Sequence, residues 1–264
     1  MRQQKSWLYE THFHTSLASA CGRSRGPEYL ERYKRLGYAG IIVTDHFWRG
    51  NCAVDRHLPW RHFVDAFCRG YEETKVAAEK IGLSVFFGWE ETHEGDDYLV
   101  YGLDKAWLYE HPEAREWTRQ QQLDEVHRYG GCVVQAHPFR DRDYIAAIHL
   151  GPADAYEVGN AGNLPEQDLQ AFSFAKAQGY GMTAGSDIHH SAQYDDSQLM
   201  GTAFDHKLTD IQDFVRSIRS GQGYQPVVPE GRHGGRLEDP QLSVYDHRQG
   251  KARHVRRAEE LFTG

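Results

Sequence analysis

The amino-acid sequence predicts an α/β barrel, and three observations carry that prediction. Short apolar runs alternate with helical segments along most of the 264 residues, the pattern of strands joined by crossover helices. Several of these runs lead straight into a histidine or a carboxylate: Leu83 to Phe87 before Glu90, Cys132 to Val134 before His137, Gly181 to Ala184 before Asp187. Together such groups come from at least five strand ends. A closed barrel brings that many ends to one point readily, and an open sheet does not.

Each element is justified in turn. Ser6 to Thr11 is a first strand running into His12. Pro27 to Leu36 is a helix, with proline at its start and Gly37 just past its end. Gly40 to Val43 is a short β-branched run that stops at Thr44-Asp45-His46. Pro59 to Ile81 is a long helix closed by Gly82, and its stripe of Trp60, Phe63, Phe67 and Tyr71 is core at helical spacing. Leu83 to Phe87 and Tyr98 to Tyr101 are strands, and Glu116 to Tyr129 is a helix stopped by Gly130-Gly131. Cys132 to Gln135, Ala153 to Val158 and Tyr180 to Ala184 are strands, with a helix over Glu166 to Gln178. Asp210 to Ser220 is a last helix before a strand near Tyr224 to Val228. That makes about seven strand–helix repeats of one parallel barrel. The segments Arg49 to Pro59, Asp104 to Arg115 and Ser191 to Met200 read as rim loops. Residues 1–228 are assigned to the barrel domain and 229–264 to an extension. That extension reads as a short strand or hairpin around Leu242 to Tyr245 with a solvated basic end.

Bulk properties narrow the function. A net charge of −8 argues against general nucleic-acid binding. Cys21, Cys52, Cys68 and Cys132 are scattered without CxxC spacing, which points to reduced thiols in a cytoplasm. No apolar leader and no membrane-length apolar stretch is evident, so a cytoplasmic chain with no membrane partner is expected. Histidine, with 16 copies, is the compositional outlier. His57, His62, His111, His127, His149, His206, His233, His247 and His254 lie in polar or helical stretches and read as having no role in a site.

The chemistry sits in short motifs. THFHTS holds His12 and His14 two residues apart, so on a strand both face the same side. VTDHF supplies His46, FGWEET supplies Glu90, QAHPFR supplies His137, and AGSDIHH supplies Asp187 and His189. His190 reads as a loop residue. Imidazoles and carboxylates converging from several strands are what a hydrolytic site with several metals requires. Arg140, three residues after His137, is the best candidate to hold a substrate anion, since a guanidinium fork matches phosphate oxygens. The bland alternative is a surface arginine paired with Asp141 or Asp143. Arg23 and Arg25 read as solvated loop charges.

The ordered set HFHT, TDH, GWE, AHPFR and SDIH resembles the PHP (polymerase and histidinol phosphatase) family over roughly Leu8 to Tyr224. The resemblance implies a distorted (β/α)7 TIM-like barrel with two or three divalent ions, zinc, manganese or iron, at the carboxyl ends of its strands. It implies that His12, His14, Glu90 and Asp187 ligate a first metal. Glu90 would bridge to a second with His137, and His46 and His189 would hold a third. Two places depart from the family pattern. After the HxH the stretch SLASACG has no carboxylate or imidazole, and Cys21 is the only soft ligand nearby. The slot after the bridging glutamate reads GDDYLVYG, which makes Asp97 the expected ligand, with Asp96 and His93 as rivals. The second metal then has a carboxylate ligand, and the third site is weak or filled only with substrate present.

The activity implied is hydrolysis of phosphate esters by a metal-bridging hydroxide, on a small phosphomonoester or a nucleotide diester. Arg140 would neutralise phosphoryl oxygens, and Asp187 or His189 would move the proton to the leaving group. Two alternatives stand beside it. One is an amidohydrolase-type C–N hydrolase, against which no lysine occupies a motif position. The other is a module that binds metal without turnover. The substrate and the oligomeric state are not legible.

Overall fold

The computed structural model describes residues 6–140, 148–235, 242–246 and 251–255. Their main feature is a barrel-shaped mixed sheet with helices on its outside. Strand β1 (Trp7–Phe13) pairs in parallel with β2 (Gly40–Val43), and β2 with β3 (Ser84–His93). On the far side β5 (Cys132–Gln135) runs parallel to β7 (Ala155–Asn160), and β7 to β8 (Gly181–Gly185). Antiparallel β4 (Asp96–Tyr101) joins the two groups, and antiparallel β9 (Gly201–Phe204) and β10 (Tyr224–Val227) extend the sheet beyond β1. The strand order is β10-β9-β1-β2-β3-β4-β5-β7-β8.

The barrel expectation holds, and the expectation of parallel strands throughout is corrected. Two parallel groups of three are welded by a hairpin. The physical reason is the link between β3 and β4, which is only Glu94 and Gly95 with φ of 54° and 94°. Two residues with positive φ make a tight hairpin turn and leave no room for a crossover helix. The seam between β8 and β1 is closed without a continuous ladder. Thr11 Oγ1 donates to the Ala184 carbonyl at 2.8 Å. Further along, the Asp187 amide donates to the His12 carbonyl at 2.9 Å and the His14 amide to the Ile188 carbonyl at 3.1 Å.

Helices cover the outside. A 3-10 turn at Gly26–Tyr29 leads into α1 (Leu30–Arg35), where a single helix was expected. The long α2 (Trp60–Glu79) lays Phe63 and Phe67 into a cluster with Phe47 and Trp89. Truncating either buried phenylalanine to alanine costs about 3–5 kcal/mol. Helix α3 (Lys105–Glu110) stands where a rim loop was expected. Its Asp104 cap accepts from the Trp107 amide, a start signal that the sequence does carry. Helix α4 (Arg119–Arg128) opens on a reciprocal Thr118–Gln121 capping box. Helices α5 (Pro165–Gln178) and α6 (Ile211–Ser220) stop at the expected residues and end on left-handed Gly179 and Gly221.

Strand β6 (Ile148–Leu150) belongs to a second, three-stranded sheet. It pairs in parallel with β11 (Leu242–Asp246), which pairs antiparallel with β12 (Lys251–Val255). The basic end from 256 to 264 lies outside the described residues, as do Asp141 and Asp143. Among the described residues no helix is long and apolar enough to cross a membrane.

Candidate metal centre

The carboxyl ends of the parallel strands open into a cleft of about 470 Å³. Its floor is built from β1, β3 and the segments that follow β2, β5 and β8. His12 lies in the buried run of β1, one residue before its end, and His14 lies one residue past the strand. Glu90 is deep in the middle because β3 outruns β2 and continues beside the TDH segment. There the Glu90 amide donates to the Asp45 carbonyl at 3.0 Å and its carbonyl accepts from the Phe47 amide at 2.7 Å. Asp97 reaches the same rim because β4 runs antiparallel, so its first residues lie where the parallel strands finish.

Three groups of ligand atoms converge, each with all members within 4.8 Å of one another. They are His12, His14 and Asp187; His12, Glu90 and His137; and His14, His46 and His189. Glu90 is the hub. Its Oε2 lies 3.3 Å from His14 Nε2, 3.5 Å from His12 Nε2 and 2.9 Å from His46 Nδ1, and its Oε1 lies 3.3 Å from His137 Nε2. His12 Nε2, His14 Nε2, His46 Nδ1 and Glu90 Oε2 are all buried without an aligned hydrogen bond. A buried polar atom left unpaired costs about 1–3 kcal/mol, so four facing one point are a strained arrangement until something bonds them together. A divalent cation with nitrogen and oxygen ligands fits that vacancy of bonding.

The Nδ1 atoms of His12, His14 and His189 are, in contrast, engaged. His12 Nδ1 pairs with Glu157 Oε1 at 3.0 Å. His14 Nδ1 contacts Ser19 Oγ at 3.0 Å, and Ser19 donates to Asp45 Oδ1 at 2.6 Å. His189 Nδ1 lies 2.9 Å from the Asp187 carbonyl. Each partner accepts a ring N–H and so fixes the ring's orientation, with Nε2 as the atom aimed inward. Asp187 Oδ2 accepts from Arg140 at 2.8 Å, and Arg140 also donates to Asn160 and Asn163 at 2.7 Å each. His137 and Asp187 hold positive φ of 28° and 51°. Such backbone is costly for residues other than glycine and persists where surrounding bonds impose it. At Gly185 the approach of β8 is so close that a Cβ would sit 2.5 Å from the His12 Cβ, so only glycine lets the two strands' ligands meet.

The charges are strongly coupled. Burial disfavours a charged His12, yet Asp187, Glu157 and Glu90 outweigh it and hold the ring well above its usual pKa. Burial alone would raise Glu90, but His46 and His12 bring it well below the carboxylate range. Asp187 likewise stays ionised against its burial through His12 and Arg140. Burial, with His189 and His46 nearby, holds His14 well below the usual value, and burial with Arg140 lowers His137. The Cys21 thiol is brought down to about 6, against its burial, by hydrogen bonds with His189 and His46.

All the sequence-predicted ligands, His12, His14, His46, Glu90, Asp97, His137, Asp187 and His189, come together at this cleft. Of the rivals for the slot after Glu90, His93 pairs with Gln122 at 3.1 Å and Asp96 with Arg119 at 3.0 Å. Asp97 lines the cleft, 3.7 Å from His137 Nε2. His190 is exposed. Sequence reasoning missed Glu157, Asp45 and Ser19, the groups that brace the ligands. Glu157 had a signal, since it is the single carboxylate inside the run AYEVGN, whose six residues are all buried.

No family model matches this chain, and no curated protein does. Solved structures do match in fold. One is a two-domain protein from Bacteroides vulgatus containing a predicted PHP-like metal-dependent phosphoesterase. It is 17% identical with a TM-score of 0.60, over 86% of this chain and 66% of that longer one. A proposed metal-dependent phosphoesterase from Bifidobacterium adolescentis is 19% identical with a TM-score of 0.52, over 81% and 96% of the two chains. An amidohydrolase from Chromobacterium violaceum, solved with sulfate and without metal, is 15% identical with a TM-score of 0.50, over 70% and 88%. The chain therefore shares a barrel fold with PHP-like and amidohydrolase structures.

Proposed function

We propose that this chain is a metal-dependent hydrolase of phosphate esters. The observation that carries the reading is the set of inward-facing ring nitrogens and Glu90 Oε2, buried, without aligned partners, and grouped within ligand distance at the mouth of a barrel. His12, His14, Glu90 and Asp187 would hold one cation, and Glu90 with His137 and Asp97 a second. Divalent ions held there supply a Lewis acid for the phosphoryl oxygens and bring the pKa of bound water toward neutrality.

The chain's own residues do the rest. Glu157 and the Ser19–Asp45 pair hold the two histidines of the HxH in the orientation that faces inward. Arg140 clamps Asp187 against Asn160 and presents positive charge to the cleft wall, where a phosphate would meet it. Arg49 also lines the cleft. Asp187 makes a poor proton carrier. Its Oδ2 is bonded to Arg140, and its Oδ1 lies 3.2 Å from His14 Nε2 and 3.4 Å from His12 Nε2. His189, at the cleft mouth with Nδ1 tied to a carbonyl, is the side chain that can hold a proton at Nε2 in the form with two cations.

The phosphoester reading is preferred over C–N hydrolysis because the cleft is lined by two arginines and by no lysine that could become a carbamylated bridge. The test is hydrolysis of generic phosphate mono- and diesters by the purified chain with manganese, each against a chelator control. Chelator-sensitive turnover is expected, and the ratio of the two rates identifies the ester class. Absence of turnover on both, with amide or lactam hydrolysis present, would replace the phosphoester reading by the C–N one.

A further inference from the structure

Two arginines bind the turn at 160–163, which follows β7. Arg140, in the cleft wall, takes its side chains. Nη2 donates to Asn160 Oδ1 and Nε to Asn163 Oδ1, at 2.7 Å each. Arg232 takes its main chain. Its Nη2 donates to the Asn160 carbonyl at 3.0 Å and to the Asn163 carbonyl at 2.6 Å. Among the described residues, the bonds of Arg140 use Nε and Nη2, the latter also reaching Asp187, and Nη1 has none. Nη1 is therefore the corner of the fork that a substrate oxygen would meet. Where it lies is set by the two asparagine oxygens, and these are only as fixed as the turn that carries them.

The turn has no strand ladder of its own, and Asp168 and Arg232 replace one. Asp168, near the start of α5, has a side chain with no solvent exposure. It accepts from the Asn160 amide at 3.1 Å, from Asn163 Nδ2 at 2.7 Å and from Arg232 Nε at 2.8 Å. Burial pushes its carboxyl up to about 6, and Arg232 is the foremost group opposing that rise. A buried carboxylate needs such a partner. Arg232 belongs to the segment after β10, assigned from the sequence to an extension outside the barrel. His233 seats that segment, with Nε2 2.7 Å from the Val158 carbonyl and its ring stacked on Phe172 at 4.3 Å.

We propose that Arg232 is a positioning residue for the substrate anion. Through Asp168 and the main chain of the turn it fixes Asn160 and Asn163, and these aim Arg140 at the phosphate. The extension thereby shapes the site although Arg232 is not among the residues that line the cleft. The proposal rests on the reading of Arg140 as the arginine that meets a phosphate.

Calorimetric binding of inorganic phosphate to the manganese-loaded full chain tests this without turnover. Arg232→Lys keeps a positive charge for Asp168 but gives up the fork that reaches the turn. Its Kd for phosphate should rise roughly tenfold, the scale of one charge-assisted hydrogen bond. KM for a phosphate ester should rise by the same factor, with kcat and manganese uptake unchanged. Asp168→Asn places an amide where Oδ2 accepts from Arg232 and leaves no carboxylate to compensate, and it should repeat the loss. In an Arg140→Lys background, Arg232→Lys should add almost nothing, because the two act in series. Wild-type phosphate affinity in either single variant, a loss fully additive with that of Arg140→Lys, a fall in kcat with KM unchanged, or a wild type that binds no phosphate overturns the proposal. Phosphate binding that depends on Arg232, without ester hydrolysis, would leave the proposal standing and overturn the hydrolase reading alone.

Discussion

The floor and the mouth of the cleft are built differently. On the floor three of the proposed ligands are braced from behind: His12 by Glu157, His14 by Ser19 and Asp45, Asp187 by Arg140 and Asn160. These groups are buried, and their partners come from β7, from the loops after β1 and β2, and from the segment after β5. At the mouth, His46 and His189 are partly exposed and Cys21 sits on a loop. The difference shows that bracing goes where several charges must be held in a fixed geometry without water to relax them. On the proposed reading, a ligand shared between two cations could not move for one without disturbing the other. The mouth has fewer charges and more solvent around its rings.

Breaking the floor should have the largest effect. His137→Ala removes a ligand at the second cation and should lower turnover by at least about a thousandfold, roughly 4 kcal/mol of transition-state stabilisation. The protein should stay folded, read by circular dichroism. A mutant retaining most of its rate would remove His137 from the ligand set. Glu157→Gln keeps the volume but discards the charge behind His12. A loss of about 10–100-fold in metal affinity is expected, in line with other groups that orient metal-bound histidines. Competition with a chromophoric chelator measures it, and unchanged affinity would make Glu157 a packing residue. Ser19→Ala removes one link behind His14 while Thr15 still bonds Asp45. At about 1 kcal/mol for one hydrogen bond, a loss of roughly fivefold in metal affinity is expected. His190→Ala, beside His189 but exposed, should leave both affinity and melting temperature within measurement error. A large effect there would mean that the mouth extends further out than the cleft walls indicate.

These differences follow from what a sequence can display. Most of the proposed ligands were legible because they close or follow a strand, and strand ends can be read from short apolar runs such as Gly40 to Val43 and Cys132 to Gln135. Both of those strands have the expected bounds. The braces were not legible, because Glu157, Asp45 and Ser19 meet their partners across 145, 30 and 5 residues and show no spacing of their own. The mixed sheet was hidden for a similar reason. Strand β9, Gly-Thr-Ala-Phe, is too short and too small-sided to stand out from the loop before it. The antiparallel turn of β4 rests on the positive φ of Glu94 and Gly95, a local feature overlooked in favour of regular alternation. Cys21 was visible as a soft ligand near the HxH, but its place in the cleft lining depends on the loop folding back over Asn51.

The most direct test of the metal centre is calorimetric titration of manganese into the chelator-stripped chain. Two equivalents are expected from the floor, with one lost in His137→Ala, and the loaded wild type should melt higher by an amount set by its affinity, about 2.7 kcal/mol at a hundredfold excess over Kd. A stripped protein that takes up no manganese and melts at the same temperature with or without it would contradict the assignment of the inward-facing histidines and Glu90 as ligands.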